Sequence, residues 1–89
     1  MIIGHEVSSV TLVANKEETI KYGEQQKYAD IINYGSGDVY LSWRKAAVID
    51  DPHCLLLKEG QSYELRTALS WQTLSLISTG TPKIQVVVF

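Results

Sequence analysis

The sequence predicts an all-β protein, a compact single-domain antiparallel β-sandwich or barrel of about seven to eight short strands spanning residues 1–89. Three observations carry this. Apolar and polar residues alternate with a period of two along most of the chain, and no stretch of roughly 11 to 18 residues places its apolar residues at helical spacing. Turn-forming residues interrupt the alternation every 8 to 12 residues or so, the rhythm of a sandwich or barrel. The 89 residues, 45% apolar and 20% charged, suffice for one thin core and not for two.

Taken in order, "VSSVTLVA" puts Val10, Leu12 and Ala14 on one face of a first strand. "KYADIINY" then sets Ala29 and Ile31 against Tyr28, Asp30, Ile32 and Tyr34. "DVYLSW" turns Val39, Leu41 and Trp43 inward and Asp38, Tyr40 and Ser42 outward, because successive side chains on a strand point to opposite faces. Gly35-Ser36-Gly37 between these two runs predicts a hairpin, with Tyr34 and Tyr40 as a cross-strand pair flanking it. "QSYELR" offers Tyr63 and Leu65, "WQTLSLIS" Leu74 and Leu76, and "PKIQVVVF" Ile84, Val86 and Val88. Lys58-Glu59-Gly60 and Ser78-Thr79-Gly80-Thr81 supply the remaining turns. "RKAAVIDDPH", Arg44 to His53, lacks alternation and is the longest irregular connection, either forming one helical turn at Ala46–Ile49 or lying over the sheet edge.

Charge and composition narrow the function. A net charge of -2 with scattered basic residues excludes an electrostatic grip on nucleic acid. The longest apolar runs, "VVVF" and "CLLL", fall far short of the roughly 20 residues that span a bilayer. "MIIGHEVSS" has no basic segment leading into a long apolar one, which predicts a chain without a secretion signal, and the single Cys54 fits a reducing compartment.

The cluster "DDPHC" gathers Asp50, Asp51, His53 and Cys54, the chain's one concentration of potential metal ligands. A zinc site needs three or four ligands converging from defined spacings, and the other histidine, His5, stands alone. Asp51-Pro52 reads instead as a turn, with Cys54 as the first buried residue of the next strand. Neighbouring Cys and His on a strand point apart, so they make no nucleophile–base pair. The expectation is no catalytic residue, no metal and no cofactor. The aromatic residues Tyr22, Tyr28, Tyr34, Tyr40, Tyr63, Trp43 and Trp71 admit two readings, a sugar-stacking platform or ordinary core and cross-strand packing.

"VSSVTLVAN", "KYADIINYGSGDVYLSW", "CLLLKEGQSYEL" and "LSLISTGTPKIQVVVF", in that order, resemble a layout found in small structural proteins of tailed bacteriophages. Asn33, Gly35, Val39, Tyr40, Leu41, Leu57, Gly60, Leu76, Gly80 and Val86 occupy its strand and turn positions. The chain departs from it at Gln25, Gln26 and Lys27, where an Arg-rich stretch is common, and in its charged Arg44–His53 connection. The resemblance implies a non-enzymatic virion component assembled in the host cytoplasm. Its first form is a capsid decoration (cement) protein that contacts the major capsid protein or other virion proteins and self-associates. The alternatives are a tail, fibre or head-junction component, or a carbohydrate- or receptor-binding β module. Candidate interface residues are Val87 and Phe89, which make the closing strand apolar on both faces, together with Tyr34, Tyr40, Arg44 and Lys45.

Overall fold

The computed structural model describes residues 6–88, so His5 and Phe89 lie outside the described residues. Six strands, β1 (Glu6–Thr11), β2 (Glu18–Asn33), β3 (Val39–Ser42), β4 (Leu55–Leu57), β5 (Ser62–Ser78) and β6 (Lys83–Val88), form an antiparallel sheet in the order β1-β6-β2-β5-β3-β4. The all-β expectation holds, with six strands among the described residues rather than seven or eight. "QSYELR" and "WQTLSLIS" are one strand, β5, because "TALS" between them carries no glycine or proline and continues in extended conformation.

Length forces the two long strands to bend. Straight, the 17 residues of β5 would reach roughly 55 Å at about 3.3 Å per residue. The molecule measures 40 × 22 × 19 Å. The bend lies where the β2–β5 register breaks: from Lys21 to Gln26 β2 advances five residues while β5 moves only from Thr73 to Trp71, and from Gln26 to Tyr28 the excess passes to β5, which runs from Trp71 to Arg66. Extra residues of this kind bend and twist a strand. Tyr22 and Trp71 fill the inside of the corner, edge to face at 5.8 Å and both buried. Side chains replace missing ladder bonds there: Gln72 donates to the Tyr22 carbonyl at 2.7 Å, and the Thr67 hydroxyl to the Lys27 carbonyl at 3.3 Å.

Past the bend each long strand acquires a different neighbour. β6 pairs with the C-terminal part of β2, Ala29–Asn33, and β3 with the C-terminal part of β5, Ser75–Ser78. The result is two half-sheets, β1-β6-β2-β5 and β2-β5-β3-β4, facing each other across one core. Ala29, Ile31, Leu65, Ile84 and Val86 from the first meet Val39, Leu41, Leu57, Leu74 and Leu76 from the second. Leu12, Ala29, Ile31, Val39, Leu41, Leu65, Leu74, Leu76, Ile84, Val86 and Val88 are buried as the alternation predicts, and Val10 is partly buried against the same core. Tyr63, at an inward position by parity, is nevertheless exposed, Ala14 is exposed beyond the end of β1, and Trp43 is only half-buried.

The predicted hairpin at Gly35–Gly37 is absent. β2 and β3 do not pair with each other; the segment 34–38 carries the chain from one half-sheet across to the other. Tyr34 and Tyr40 accordingly lie on different half-sheets and form no cross-strand pair. Asn33, fully buried, organises the crossing. Its amide donates to the carbonyls of Gly37 at 2.9 Å and Leu57 at 3.1 Å, and its Oδ1 accepts the Gly35 N–H at 2.9 Å. Gly37 takes φ +119°, and Gly80 packs so closely that a Cβ there would stand 2.6 Å from the Ser36 carbonyl oxygen. A hairpin would satisfy the same Gly/Ser signature, and what selects the crossing is that β5 already occupies β3's pairing edge.

Candidate functional site

Two surfaces gather the candidate residues, and they point away from each other because both half-sheets turn their inner faces to the same core. On the outer face of the first half-sheet, register aligns Val7, Val87, Asp30 and Glu64 across four strands. The adjoining row is Ser9, Gln85, Ile32 and Ser62. Val7 is 53% exposed and Val87 half-buried between β1 and β2. Tyr34, 58% exposed, donates its hydroxyl to Gln85 Oε1 at 3.1 Å, and Tyr28 lies under the Arg66 guanidinium at 5.4 Å. The face therefore mixes aliphatic, aromatic and charged groups.

The second surface is built by the connection from Trp43 to Cys54, which contains no helical turn. It folds back over the outer face of the second half-sheet rather than its edge. Ser42, the last residue of β3, starts the reversal: its hydroxyl accepts the N–H groups of Arg44 at 3.3 Å and Lys45 at 3.2 Å. The Ala47 N–H donates to the buried Ser75 Oγ at 2.9 Å, and that hydroxyl donates to Glu17. Asp50 accepts the Tyr40 hydroxyl at 2.8 Å, which pushes the Tyr40 pKa up because the phenol would lose that bond on ionising. Lys45 pairs with Asp51, raising the lysine pKa; Lys45 first and then the His53 N–H, at 2.8 Å, hold the Asp51 carboxyl below its ordinary range.

Between this connection and the sheet lies an open cleft of about 350 Å³. Trp43, Arg44 and Lys45 form one side, and Glu17, Thr19, Gln72, Thr73 and Ser75 the other. The same three residues of the connection, with His53, border a smaller cavity of about 210 Å³. Arg44 and Lys45 thus come together with residues from β2 and β5 that no local motif marks. Thr19 and Thr73 sit at outward strand positions, and Gln72 lies beside the bend, so the significance of all three depends on a connection 30 or so residues away in sequence.

The "DDPHC" residues act as fasteners of this connection. Asp50 and Asp51 are each engaged as above, Cys54 is half-buried just before β4 rather than its first buried residue, and its N–H bonds the Asp51 carbonyl at 3.1 Å. Among the described residues no three of His, Cys, Asp and Glu converge. Among the described residues, the buried polar ones are Asn33, Ser42, Ser75 and Ser78. The aromatic residues do not form one row: Tyr22 and Trp71 are buried in the corner, Tyr28 and Tyr34 lie on the first face, and Trp43 lines the cleft.

Comparison with known proteins supplies the fold. The chain matches no family model and no curated protein sequence. In three dimensions it is similar to a cupin-2 domain containing protein from Shewanella frigidimarina, at 11% sequence identity and a TM-score of 0.57, over 98% of this chain and 72% of that one. The chain therefore has a cupin-like β fold, in agreement with the two facing half-sheets.

Proposed function

We propose that this chain is a non-enzymatic structural component of a tailed-phage virion, a capsid decoration protein that seats on the major capsid protein through the outer face of its first half-sheet. The observation that carries the reading is the contiguous Val7–Val87 pair, extended by Ile32 and flanked by Tyr34 and Tyr28, on a face that the core does not use. Apolar and tyrosine side chains on a sheet surface are suited to exclude water against a partner while the polar Gln85, Asp30 and Glu64 set orientation. The layout shared with small phage structural proteins supports the same assignment. A rigid module repeated over a shell binds through the sum of many weak contacts, so no single site needs high affinity.

Co-sedimentation with heads prepared without this protein tests it. Val87→Lys places an ammonium group beside Asp30, its register partner, so the fold retains a nearby counter-charge while the apolar patch is lost. The expected result is an unchanged melting temperature and loss of particle binding. Wild-type protein that stays in the supernatant, or a folded Val87→Lys variant that binds as well as wild type, refutes the assignment.

A further inference from the structure

We infer that the cleft under the Trp43–Cys54 connection is a binding site for a neutral saccharide of one or two rings. The inference stands on the cleft alone and is independent of the docking face.

The lining has a distinctive balance. It carries one guanidinium, Arg44, and one carboxylate, Glu17, while the Lys45 charge is already matched by Asp51. Opposite charges of equal number give no preference for an anion or a cation. Hydrogen-bonding capacity nevertheless remains unspent. Among the described residues Arg44, Thr19 and Thr73 make no side-chain hydrogen bond, and Glu17 uses a single carboxylate oxygen, Oε2, to accept the Ser75 hydroxyl. A guanidinium offers several parallel donors, a carboxylate oxygen only accepts, and hydroxyls do both. A ligand that uses all of them must present closely spaced groups that both donate and accept, as vicinal sugar hydroxyls do.

Trp43 supplies the other half of sugar chemistry. It is an amphipathic aromatic wall, held by packing against the core, against which the C–H face of a pyranose can lie. The cleft volume of about 350 Å³ is at the small end of ligand sites, room for a short saccharide and not for a large cofactor. The site is also preformed. Ser42 sets the reversal that positions Arg44, Ser75 anchors both Ala47 and Glu17, Asp50 clasps Tyr40 of β3 and Asp51 clasps Lys45, so little ordering opposes binding. Because this face points away from the first half-sheet's outer face, both surfaces are available at once.

The probes are D-glucose, D-galactose, N-acetyl-D-glucosamine and lactose, titrated into isotopically labelled protein and followed by amide NMR shifts. At least one should move the amides of Trp43–Ala46 and Gln72–Ser75 together and saturate with a Kd of about 1 mM or below. Arg44→Ala and Thr73→Ala, both away from the core cluster, should each weaken that binding by about tenfold, the loss of one good hydrogen-bonding group, with melting temperature and particle binding unchanged. Silence of these amides toward all four sugars overturns the inference. So do equal affinities in the folded variants, or a response to inorganic phosphate in place of sugar, which would make the cleft an anion site.

Discussion

Replacing Asn33 with aspartate changes one NH₂ group to oxygen and tests the crossing between the half-sheets with almost no change in shape. The Gly35 N–H keeps its acceptor, but the carbonyls of Gly37 and Leu57 lose their donors and face a carboxylate in a fully buried position. The side chain escapes by taking up a proton, which lets it donate to one of the two carbonyls. Holding that proton costs about 1.4 kcal/mol for each pH unit above the unfolded value of about 3.9, hence about 4 kcal/mol at pH 7. The carbonyl left without a donor adds about 1 kcal/mol. The expected loss is therefore about 5 kcal/mol at pH 7, comparable to the lower end of total domain stability, and about 1 kcal/mol near pH 4. The sign follows from proton counting: above about pH 3.9 the folded variant binds a proton that the unfolded chain has released, so stability falls as pH rises. Urea denaturation at pH 4, 5.5 and 7, each against wild type, reads the slope. A difference that does not change with pH, or one below about 1 kcal/mol at pH 7, would refute the role given to Asn33.

Two further outcomes are expected. Gly37→Val forces a β-branched residue to φ +119° with its Cβ 3.3 Å from the Gly80 Cα, and should cost roughly 1 to 3 kcal/mol by thermal melting; a neutral result would mean that the 34–38 segment relaxes freely. Asp51→Asn removes a carboxylate whose folded pKa is lowered by Lys45 and by the His53 N–H. Its contribution is present above the ordinary unfolded carboxylate range and disappears as pH falls through the lower folded value, so wild type and variant should differ at neutral pH and converge in acid. A constant offset in melting temperature from pH 6 to the acid limit would show that the pair does not titrate with folding.

The alternation of "ADI", "VYL", "LSL" and "IQVVV" was enough, without any structure, to say which side chains enter the core, since which face a strand residue occupies is settled by its immediate neighbours. Asn33 is a related case: it stands at an inward position of "ADIIN", and a polar residue there must find buried partners, although which partners is invisible locally. Tyr63 also stands at an inward position yet is exposed, because it lies near the start of β5, where parity alone does not guarantee cover. Turn residues showed that the chain changes direction at Gly35–Gly37 and not where it goes, because the same positive φ serves a hairpin and a crossing. The choice belongs to pairing between segments far apart in sequence, with β5 filling the edge of β3 that β2 would have taken. The cleft is tertiary in the same sense. Arg44 and Lys45 were legible as a charged interruption of the strand pattern. Glu17, Thr73 and Ser75 became its other wall only when the Ala47 N–H, 28 residues from Ser75, found that hydroxyl and drew the connection down onto the sheet.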